Sequence, residues 1–459
     1  MPKPTEAPPA LDSGAAGLLR GVVVLSFLGS VGACFDPEAQ DPPGETSTTV
    51  DSTRGDSSGD STGPGATSGV PGSSATTDPE VGTDSGRGPS ETSSGAETTS
   101  SSSSTGPEPL CDDGIPAPSE ICFDGAAVLE SSDVAYAPRL GDANGDSNPD
   151  VVYGNSDTLV IRLGDGLGGF GPELQDGEFI VTGTELGDID GDGVLDIVGV
   201  DQYADSISTR LGTPAAGFAS VVNGPTAMGP AALVLGDLNG DGRDDVVVLH
   251  AAGESLRSYV AGPAGSLSAV AFVGTGPGTL PGRELALGDF TGDGALDAAF
   301  TVDGDSPKIS IGDGLGDFGI PIDVGVVTSD AFAIAAADFD QDGDDDLAIG
   351  DGSELTIVFG TGAAAFSNPT TLDLGGQIRA LESVDLSNDG VEDLIVSYTD
   401  TASISILPNL GDGTFGTAVE LATGTPCESL STGDANQDGV LDIILGCDFV
   451  FVRVLLSAP

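Results

Sequence analysis

The sequence predicts an all-β fold of seven consecutive four-stranded units, preceded by a disordered stalk rich in Ser, Thr and Gly. The first observation is a nine-residue aspartate cluster that recurs seven times, at steps of 46, 49, 52, 49, 47 and 49 residues. The second is that a short apolar segment, mostly of β-branched residues, follows each cluster. The third is composition, because 71 Gly and no Trp in 459 residues favour tight turns and small-residue strands.

The charge balance restricts the possible partners. Asp and Glu outnumber Lys and Arg by 73 to 13, which gives a formal net charge of −60. Nucleic acids and anionic membrane surfaces are bound through basic patches, so we expect no nucleic-acid partner. Metal cations are the natural counter-charge for such a chain.

Residues 1–34 have the features of an export signal. Arg20 precedes an apolar run of 13 residues from Gly21 to Ala33, which is too short to cross a bilayer and suits a signal peptide. The run ends in Val-Gly-Ala-Cys, which resembles a bacterial lipobox with Cys34 as the lipidated residue. We therefore expect an outer-membrane or cell-surface lipoprotein whose only membrane contact is this lipid anchor. The alternative is an ordinary signal peptide with a coincidental cysteine, and hence a secreted protein.

Residues 35–110 form the predicted stalk. They consist mainly of Ser, Thr, Gly, Pro, Asp and Glu. Such a composition cannot bury enough apolar surface to offset the entropy lost on ordering the backbone. A flexible acidic linker behind a lipidated cysteine would hold a folded domain away from the membrane.

We number the aspartate clusters as Asp loops 1 to 7 and their residues as positions 1 to 9. The loops are Asp142–Asp150, Asp188–Asp196, Asp237–Asp245, Asp289–Asp297, Asp338–Asp346, Asp385–Asp393 and Asp434–Asp442. Positions 1, 5 and 9 are Asp in every loop, and position 3 is always Asp, Asn, Ser or Thr. Position 6 is Gly in six loops, as a sharp turn requires. Position 7 varies freely, which indicates that its backbone carbonyl is the useful group.

These residues describe an oxygen cage for a hard cation, and its flexibility favours Ca²⁺ over Mg²⁺. The predicted ligands of up to seven Ca²⁺ ions are, loop by loop, Asp142, Asn144, Asp146, Asn148 and Asp150; Asp188, Asp190, Asp192, Val194 and Asp196; Asp237, Asn239, Asp241, Arg243 and Asp245; Asp289, Thr291, Asp293, Ala295 and Asp297; Asp338, Asp340, Asp342, Asp344 and Asp346; Asp385, Ser387, Asp389, Val391 and Asp393; and Asp434, Asn436, Asp438, Val440 and Asp442. Loops 2 and 5, with the most Asp ligands, should bind best, and loop 1 should bind worst.

Two other interpretations of the loops are weaker. An EF-hand needs a bidentate Glu at its twelfth residue, where these loops have Tyr153, Gly199, Val248, Phe300, Ile349, Val396 and Leu445. Short β-forming segments, not helices, follow position 9. Acidic turns that only keep the surface soluble would not explain the fixed spacing of the oxygen donors.

A Gly-rich turn lies between successive Asp loops. It reads LGDGLGGFG up to Gly171, IGDGLGDFG up to Gly319 and LGDGTFG up to Gly416, with weaker forms that end at Phe218 and Phe366. Each turn follows a short apolar strand. One unit is therefore a strand, an Asp loop, a strand, a short loop, a strand, a Gly–Phe turn and a strand, which describes one blade of a propeller.

These motifs resemble FG-GAP/VCBS repeats, which occur in integrin α-subunit propellers and in many secreted bacterial proteins. The resemblance covers roughly residues 120–459 and implies a domain, residues 111–459, that folds as a seven-bladed β-propeller. It also implies that each Asp loop joins the first two strands of a blade. The segment that begins at Cys111 resembles a short Cys-bracketed stretch that precedes such repeats in bacterial surface proteins.

Ring closure is predicted from spacing. Phe170, Phe218, Phe366 and Phe415 precede the next Asp loop by 18 or 19 residues, and Phe123 precedes Asp142 by 19. A strand at about 126–132 should therefore complete the last blade, which otherwise ends one strand short. Apart from Cys34 the chain has four cysteines, and their positions favour Cys111–Cys122 and Cys427–Cys447, with Cys122–Cys447 as the alternative.

The sequence favours a non-catalytic surface protein that recognises an extracellular protein or polysaccharide. The resemblance to integrin blades implies that the Asp loops occupy one face of the propeller. The expected ligand face is then the opposite one, with loops near 199–206, 249–256, 301–306 and 397–401. The alternative is a secreted hydrolase or lyase on a propeller scaffold. His250, the single histidine, follows an apolar run and is expected to end a strand rather than act as a base. Arg283 and Arg379 precede Asp loops and are expected on the ligand face. Either could anchor an acidic partner, but the sequence favours the alternative that both are solvated loop residues.

Overall fold

The computed structural model describes residues 122–131, 135–155, 158–177, 179, 181–213, 217–251, 255–274, 282–329, 331–367, 369–448 and 450–458. The predicted signal peptide, the lipidation site Cys34, the stalk and Cys111 lie outside these ranges. Within them, no helix has the length and apolar character needed to span a membrane.

The described residues form thirty β-strands. In chain order they are β1 Cys122–Glu130, β2 Tyr136–Gly141, β3 Asp150–Gly154, β4 Leu159–Arg162, β5 Leu174–Asp176, β6 Gly183–Gly187, β7 Asp196–Asp201, β8 Ser206–Arg210, β9 Gly212–Thr213, β10 Gly217–Phe218, β11 Val222–Pro225, β12 Pro230–Gly236, β13 Asp245–His250, β14 Ser255–Gly262 and β15 Ser266–Gly274. They continue as β16 Gly282–Gly288, β17 Asp297–Val302, β18 Lys308–Ser310, β19 Ile322–Asp323, β20 Ala331–Ala337, β21 Asp346–Asp351, β22 Glu354–Val358, β23 Thr370–Asp373, β24 Ile378–Val384, β25 Asp393–Tyr398, β26 Ser403–Leu407, β27 Val419–Ala422, β28 Cys427–Gly433, β29 Asp442–Cys447 and β30 Phe451–Ala458.

Seven four-stranded antiparallel sheets form the blades. Blades 1 to 6 have the strand orders β2-β3-β4-β5, β6-β7-β8-β11, β12-β13-β14-β15, β16-β17-β18-β19, β20-β21-β22-β23 and β24-β25-β26-β27, and blade 7 is β28-β29-β30-β1. The first strand of each blade contacts the first strand of the next, and β28 contacts β2, so the ring is closed. The predicted all-β, seven-bladed propeller is confirmed.

The core lies between neighbouring blades. The second strand of a blade is covered on both faces by the blades beside it, and for this reason β3, β7, β13, β17, β25 and β29 are buried along their whole length. These are the apolar segments that follow each Asp loop in the sequence. The aromatic ring of Phe290, at position 2 of loop 4, packs against Phe366 of the next blade at 5.8 Å between centroids. Phe339 of loop 5 packs in the same way on Phe415, at 5.7 Å.

Blade 7 is completed from both ends of the folded region. Strand β1 begins at Cys122, a few residues before the predicted start, and pairs antiparallel with β30 as the outer strand. Phe123 lies opposite Ser457, just as Phe170 lies opposite Gly164 in the first Gly–Phe turn. The chain therefore enters the propeller at the equivalent of a Gly–Phe turn.

The predicted Cys427–Cys447 disulfide is confirmed. The two residues face each other across β28 and β29, at the end of the hairpin away from loop 7, with Cα atoms 3.9 Å apart. The alternative Cys122–Cys447 pairing was wrong, because Cys447 already bonds to Cys427.

Each Asp loop joins the first and second strands of its blade, and each Gly–Phe turn joins the third and fourth. Because the strands are antiparallel, both kinds of turn lie at the same end of the sheets, which we call the Asp-loop face. Blade 3 departs from the pattern, since its third and fourth strands, β14 and β15, extend to eight and nine residues around a turn without Phe. This longer hairpin accounts for the step of 52 residues between loops 3 and 4.

Candidate metal centres on the Asp-loop face

The carboxylate at position 1 organises each loop. In loop 2, Oδ1 of Asp188 accepts hydrogen bonds from the backbone N–H groups of Gly191 and Asp192, at 2.7 and 3.1 Å, and Oδ2 accepts one from Gly193 at 2.9 Å. The bonds from positions 5 and 6 to position 1 recur in all seven loops. The seven loops differ in sequence, but each folds in the same way around the carboxylate of its own position 1.

The carboxylate at position 9 is fully buried in every loop. In loop 2, Oδ2 of Asp196 accepts the backbone N–H of Ile189, and Oδ1 accepts that of Gly212, both at 2.9 Å. Gly212 begins the Gly–Phe turn, and an equivalent bond from that turn, or from its counterpart in β14 and β30, reaches position 9 in the other blades. The sequence indicated a ligand at position 9 but gave no sign that this residue also fixes the neighbouring turn.

Burial changes the acidity of these groups. It raises the pKa of Asp150, Asp245, Asp297 and Asp393 to about 6, and the pKa of Asp196 and Asp346 to about 7. The backbone donors oppose this shift, while the acids at positions 1, 3 and 5 add to it. At position 3, burial and then the neighbouring Asp192 raise the pKa of Asp190. Each loop therefore concentrates negative charge that costs free energy when no positive charge is near.

In loops 2 and 5 the carboxylates converge. Oxygen atoms of Asp188, Asp190 and Asp196 lie within 4.8 Å of one another, and those of Asp338, Asp340 and Asp346 do the same. These are the two loops that the sequence predicted to bind best, and either cluster could hold a metal ion. The position 5 residues, Asp192 and Asp342, are exposed at the rim of each cluster.

Position 3 carries a neutral side chain in the other loops. Asn144 is buried, and its Nδ2 donates to Asp146 at 3.2 Å and to Asp150 at 3.0 Å, while its Oδ1 has no hydrogen-bond partner. Ser387 has a buried Oγ that also lacks a partner. Both loops therefore contain a buried oxygen whose lone pairs are not used by the protein.

His250 lies on the opposite side of the molecule, at the end of β13, where the sequence placed it. It is fully buried, and its Nε2 lies 2.7 Å from the hydroxyl of Thr226, which also accepts a bond of 2.6 Å from the hydroxyl of Tyr259. Its Nδ1 lies 3.3 Å from the carbonyl of Ser255. These contacts fit a neutral imidazole that donates from Nδ1 and accepts at Nε2.

Arg283 and Arg379 are not solvated loop residues, so that expectation was wrong. They lie on β16 and β24, the first strands of blades 4 and 6, and Arg379 is only 3% exposed. Their guanidinium groups lie over the ring of Phe332, at 3.7 and 5.5 Å from its centroid, and Arg283 also pairs with Asp303. Strands β16 and β24 each have a β-bulge at the arginine, and the spacing of residues in the sequence does not predict it.

The comparisons with known proteins agree with the fold. The FG-GAP-like repeat family matches residues 188–248, 338–396 and 385–445, which contain loops 2, 3, 5, 6 and 7. No curated protein matches the sequence. Among solved structures, an Agrocybe aegerita lectin described as recognising non-reducing terminal N-acetylglucosamine is 17% identical, with a TM-score of 0.51 over 72% of this chain and 86% of the lectin. BBS1N in complex with ARL6DN is 12% identical, with a TM-score of 0.52 over 74% of this chain and 97% of that one.

The protein is therefore a seven-bladed β-propeller, and two of its acidic loops, loops 2 and 5, could each hold a metal ion. Three stretches of the ring, residues 188–248, 338–396 and 385–445, are FG-GAP-like repeats.

Proposed function

We propose that this protein is a calcium-stabilised, non-catalytic recognition domain displayed at the cell surface. The observation that carries the proposal is the convergence of three carboxylates within 4.8 Å in loops 2 and 5. Asp oxygens and a flexible loop suit Ca²⁺, which takes six to eight oxygen ligands. The same backbone hydrogen bonds shape all seven loops, which supports up to seven Ca²⁺ sites.

The donor sets of the other loops also fit Ca²⁺. The amide Nδ2 of Asn144 donates to two carboxylates, and a bound cation would take its place beside them. The amide would then present its unpartnered Oδ1 to the ion. In loop 6 the hydroxyl of Ser387 would serve in the same way. Bound Ca²⁺ would neutralise the carboxylates of the loop, while the backbone hydrogen bonds hold the loop in its conformation.

The first test is the metal itself. Isothermal titration of the chelator-treated protein with Ca²⁺ should resolve at least two tight sites, and the change Asp190→Asn with Asp340→Asn should remove them. Asp303→Asn, an acid outside the loops, is the matched control and should leave the titration unchanged. Heat release that is the same in the loop variant and the wild type would contradict the metal sites.

Recognition is assigned to the face opposite the Asp loops. Tyr203 is 75% exposed on the turn between β7 and β8, and Met228 is 61% exposed just before β12. Asp205 ties their two loops together, because its carbonyl accepts the N–H of Thr226 at 2.9 Å and its carboxylate accepts that of Gly229 at 2.8 Å. An exposed aromatic ring and a flexible apolar side chain, on two loops that Asp205 holds together, suit a protein or polysaccharide ligand.

The two structural neighbours support a role of this kind. One is a lectin that recognises a sugar, and the other is bound to a protein partner, so propellers of this shape serve both kinds of recognition. The predicted lipid anchor at Cys34 and the stalk would display the domain outside the cell. We propose an outer-membrane or cell-surface location, with secretion as the alternative if the cysteine is not lipidated.

The ligand face can be tested with a matched pair of substitutions. Binding to glycan arrays and to extracellular matrix proteins is measured in Ca²⁺ for Tyr203→Ala and for Leu167→Ser. Leu167 is as exposed as Tyr203, at 78%, but lies on the Asp-loop face. We expect Tyr203→Ala to weaken binding at least tenfold and Leu167→Ser to leave it unchanged; the reverse result would place the ligand on the Asp-loop face.

The alternative, a hydrolase, depends on one contact. A hydroxyl that donates to a neutral imidazole, as Thr226 does to His250, is the arrangement that activates a nucleophile. The structure also gives this contact a packing role, because His250 is fully buried and Tyr259 donates to the same hydroxyl. Hydrolytic activity that is lost in Thr226→Val, with the melting temperature retained, would favour the enzyme.

A further inference from the structure

Position 8 of an Asp loop contacts the loop of the preceding blade. In loop 3, the backbone N–H of Asp244 donates to the carbonyl of Asp188 at 2.9 Å, and Oδ2 of Asp244 accepts the N–H of Asp188 at 3.0 Å. Both backbone groups of Asp188, the residue at position 1 of loop 2, are therefore held by a single residue of loop 3. In loop 5, Oδ2 of Asp345 likewise accepts the N–H of Asp289, at 2.6 Å.

The same chain uses an apolar residue at other junctions between blades. Position 8 is Leu195 in loop 2, Leu296 in loop 4 and Leu441 in loop 7. The methyl groups of Leu195 and Leu296 lie over Gly141 and Gly236, which end the first strands of the preceding blades. A leucine side chain packs there but offers no acceptor for the backbone N–H of position 1. The propeller thus contains both polar and apolar versions of one junction.

The polar junction between loops 2 and 3 connects two predicted cation sites through the two hydrogen bonds of Asp244. Asp244 lies between positions 7 and 9 of loop 3, both of which are predicted ligands, so the shape of loop 3 fixes its place. At its other end it holds Asp188, whose carboxylate organises loop 2 and belongs to the cluster within 4.8 Å. A cation that orders loop 3 would therefore also order the position 1 residue of loop 2, and the reverse must hold by linkage.

We propose that Asp244 and Asp345 are positioning residues that couple cation binding between neighbouring loops. This coupling depends on the calcium sites proposed above. It joins loop 2 to loop 3 and loop 4 to loop 5. Loops 3 and 4, whose junction carries Leu296, bind independently. The molecule then binds cations in linked pairs around the ring rather than at seven equal sites.

The experiment measures each loop separately. Hydrogen–deuterium exchange of the full chain is followed against Ca²⁺ concentration, and the midpoint of protection is determined for the peptides that contain loops 2, 3 and 4. Asp241→Asn disables loop 3 at an exposed position whose carboxylate accepts the backbone N–H of Arg243 and pairs with its guanidinium group. Asparagine keeps an oxygen that can accept these bonds, so the apo structure should change little. Asp237→Asn serves as a second disabling variant.

With Asp244 present, disabling loop 3 should raise the Ca²⁺ midpoint of loop 2 about fivefold or more, a typical size for coupling between sites. In the Asp244→Leu background the same change should leave that midpoint where it was. Asp244→Asn keeps an oxygen that can accept the Asp188 N–H, and it should retain the shift. Disabling loop 4 with Asp293→Asn should not move the midpoint of loop 3.

The outcomes separate this proposal from the proposed function. If no loop gains protection in Ca²⁺, the calcium sites fail and the coupling fails with them. If every loop is protected but the midpoint of loop 2 ignores loop 3, or if the shift persists in Asp244→Leu, then only the coupling is overturned.

Discussion

The position 9 aspartate is a structural residue as well as a predicted ligand, and the two roles can be separated. Asp346 accepts the N–H groups of Phe339 and Gly360, at 2.8 and 2.7 Å, in a fully buried position. Asp342, at position 5 of the same loop, is exposed and accepts the backbone N–H of Asp344 at 3.0 Å. Both are acids of one loop, so they form a matched pair.

We expect Asp346→Ala to lower the free energy of unfolding by about 2–5 kcal/mol in excess chelator, because two buried N–H groups lose their acceptors. Asp342→Ala should change it by less than about 1 kcal/mol, as exposed substitutions do. Denaturant unfolding without metal measures both. Equal losses would mean that position 9 contributes to stability only through a bound ion.

His250 should remain neutral well below the usual range of histidine. Burial lowers the pKa of His250 from 6.5 to about 4, with a smaller contribution from Arg257, while the Ser255 carbonyl and Asp205 act in the opposite direction. The unfolded chain then binds a proton between about pH 6.5 and 4 that the folded chain does not bind. Stability therefore falls as the pH falls through this window, by about 3 kcal/mol in total.

The measurement is direct because the chain has one histidine. Its imidazole resonances in NMR spectra should titrate near pH 4. Urea unfolding of the wild type and of His250→Gln at several pH values isolates its contribution to stability, since the acids of the Asp loops are common to both. An imidazole that titrates near pH 6.5 would show that the site is open to water.

At the scale of the element, the Gly–Phe turns of blades 4 and 5 need glycine at their first residue for a reason of space, whereas the turn of blade 6 has Asn409 at this place. A Cβ on Gly312 would overlap the backbone carbonyl of Leu296, at position 8 of loop 4, and Gly360 meets Asp345 in the same way. A backbone oxygen cannot turn aside as a side chain can. The close approach exists because position 9 holds the N–H of this glycine.

We expect Gly312→Ala to cost about 1–3 kcal/mol, as overpacking does. The control is Gly224→Ala on the outer strand β11, where a Cβ would make only an ordinary contact of 3.9 Å with Ile207. That change should be neutral or slightly stabilising, because alanine restricts the unfolded chain. Thermal unfolding of the two variants gives the comparison, and similar melting temperatures would refute the steric reason.

Most of the architecture could be predicted because it repeats. The Asp loops, the Gly–Phe turns and the spacing of Phe123 determine the number of blades, the order of strands and the outer position of β1. What could not be predicted depends on contacts between blades. Asp244 and Leu195 occupy the same place in the repeat, and nothing in their local sequence shows that one holds a neighbouring backbone and the other packs on a glycine.

The charged residues on the first strands of the blades could not be predicted from the sequence for a similar reason. Arg139 pairs with Glu185 through two bonds of 3.0 and 2.9 Å, joining blades 1 and 2 in a buried position. Each residue lies three places before its Asp loop, where blade 6 has Glu382 and the remaining blades have Val, Ala or Ser. No repeat pattern marks them, since the partner of each lies in another repeat.

At the scale of the whole molecule, polar contacts of this kind also join blades 6, 7 and 1, where the ring closes. Glu382 of blade 6 accepts the N–H and hydroxyl of Thr432 in blade 7, at 3.0 and 2.7 Å. Ser431 of blade 7 donates to the carbonyl of Pro138 in blade 1, at 2.9 Å. Gln437 in loop 7 also donates to the carbonyl of Ser147 in loop 1. Blades 7 and 1 are joined by no covalent link in the described residues other than the chain itself, so these bonds supplement the pairing of β1 with β30.

The net charge makes this closed ring sensitive to metal. Seven Ca²⁺ ions would cancel 14 of the 60 excess negative charges, all of them on one face. At about 1 mM Ca²⁺ and a dissociation constant of about 10–100 μM, each site adds about 1.4–2.7 kcal/mol to the free energy of unfolding. Loops 2 and 5 alone should therefore contribute about 3–5 kcal/mol.

We expect excess EGTA at pH 7.5 and constant ionic strength to lower the melting temperature by at least about 5 °C, and added Ca²⁺ to restore it. Mg²⁺ at the same concentration should restore much less, because it demands a more rigid octahedral cage. In Asp190→Asn with Asp340→Asn the chelator should have a smaller effect, since the repulsion and the binding are both reduced. A melting temperature that does not respond to EGTA would show that hydrogen bonds alone stabilise the seven loops. The clustering of acidic residues in the loops would then require an explanation other than metal binding.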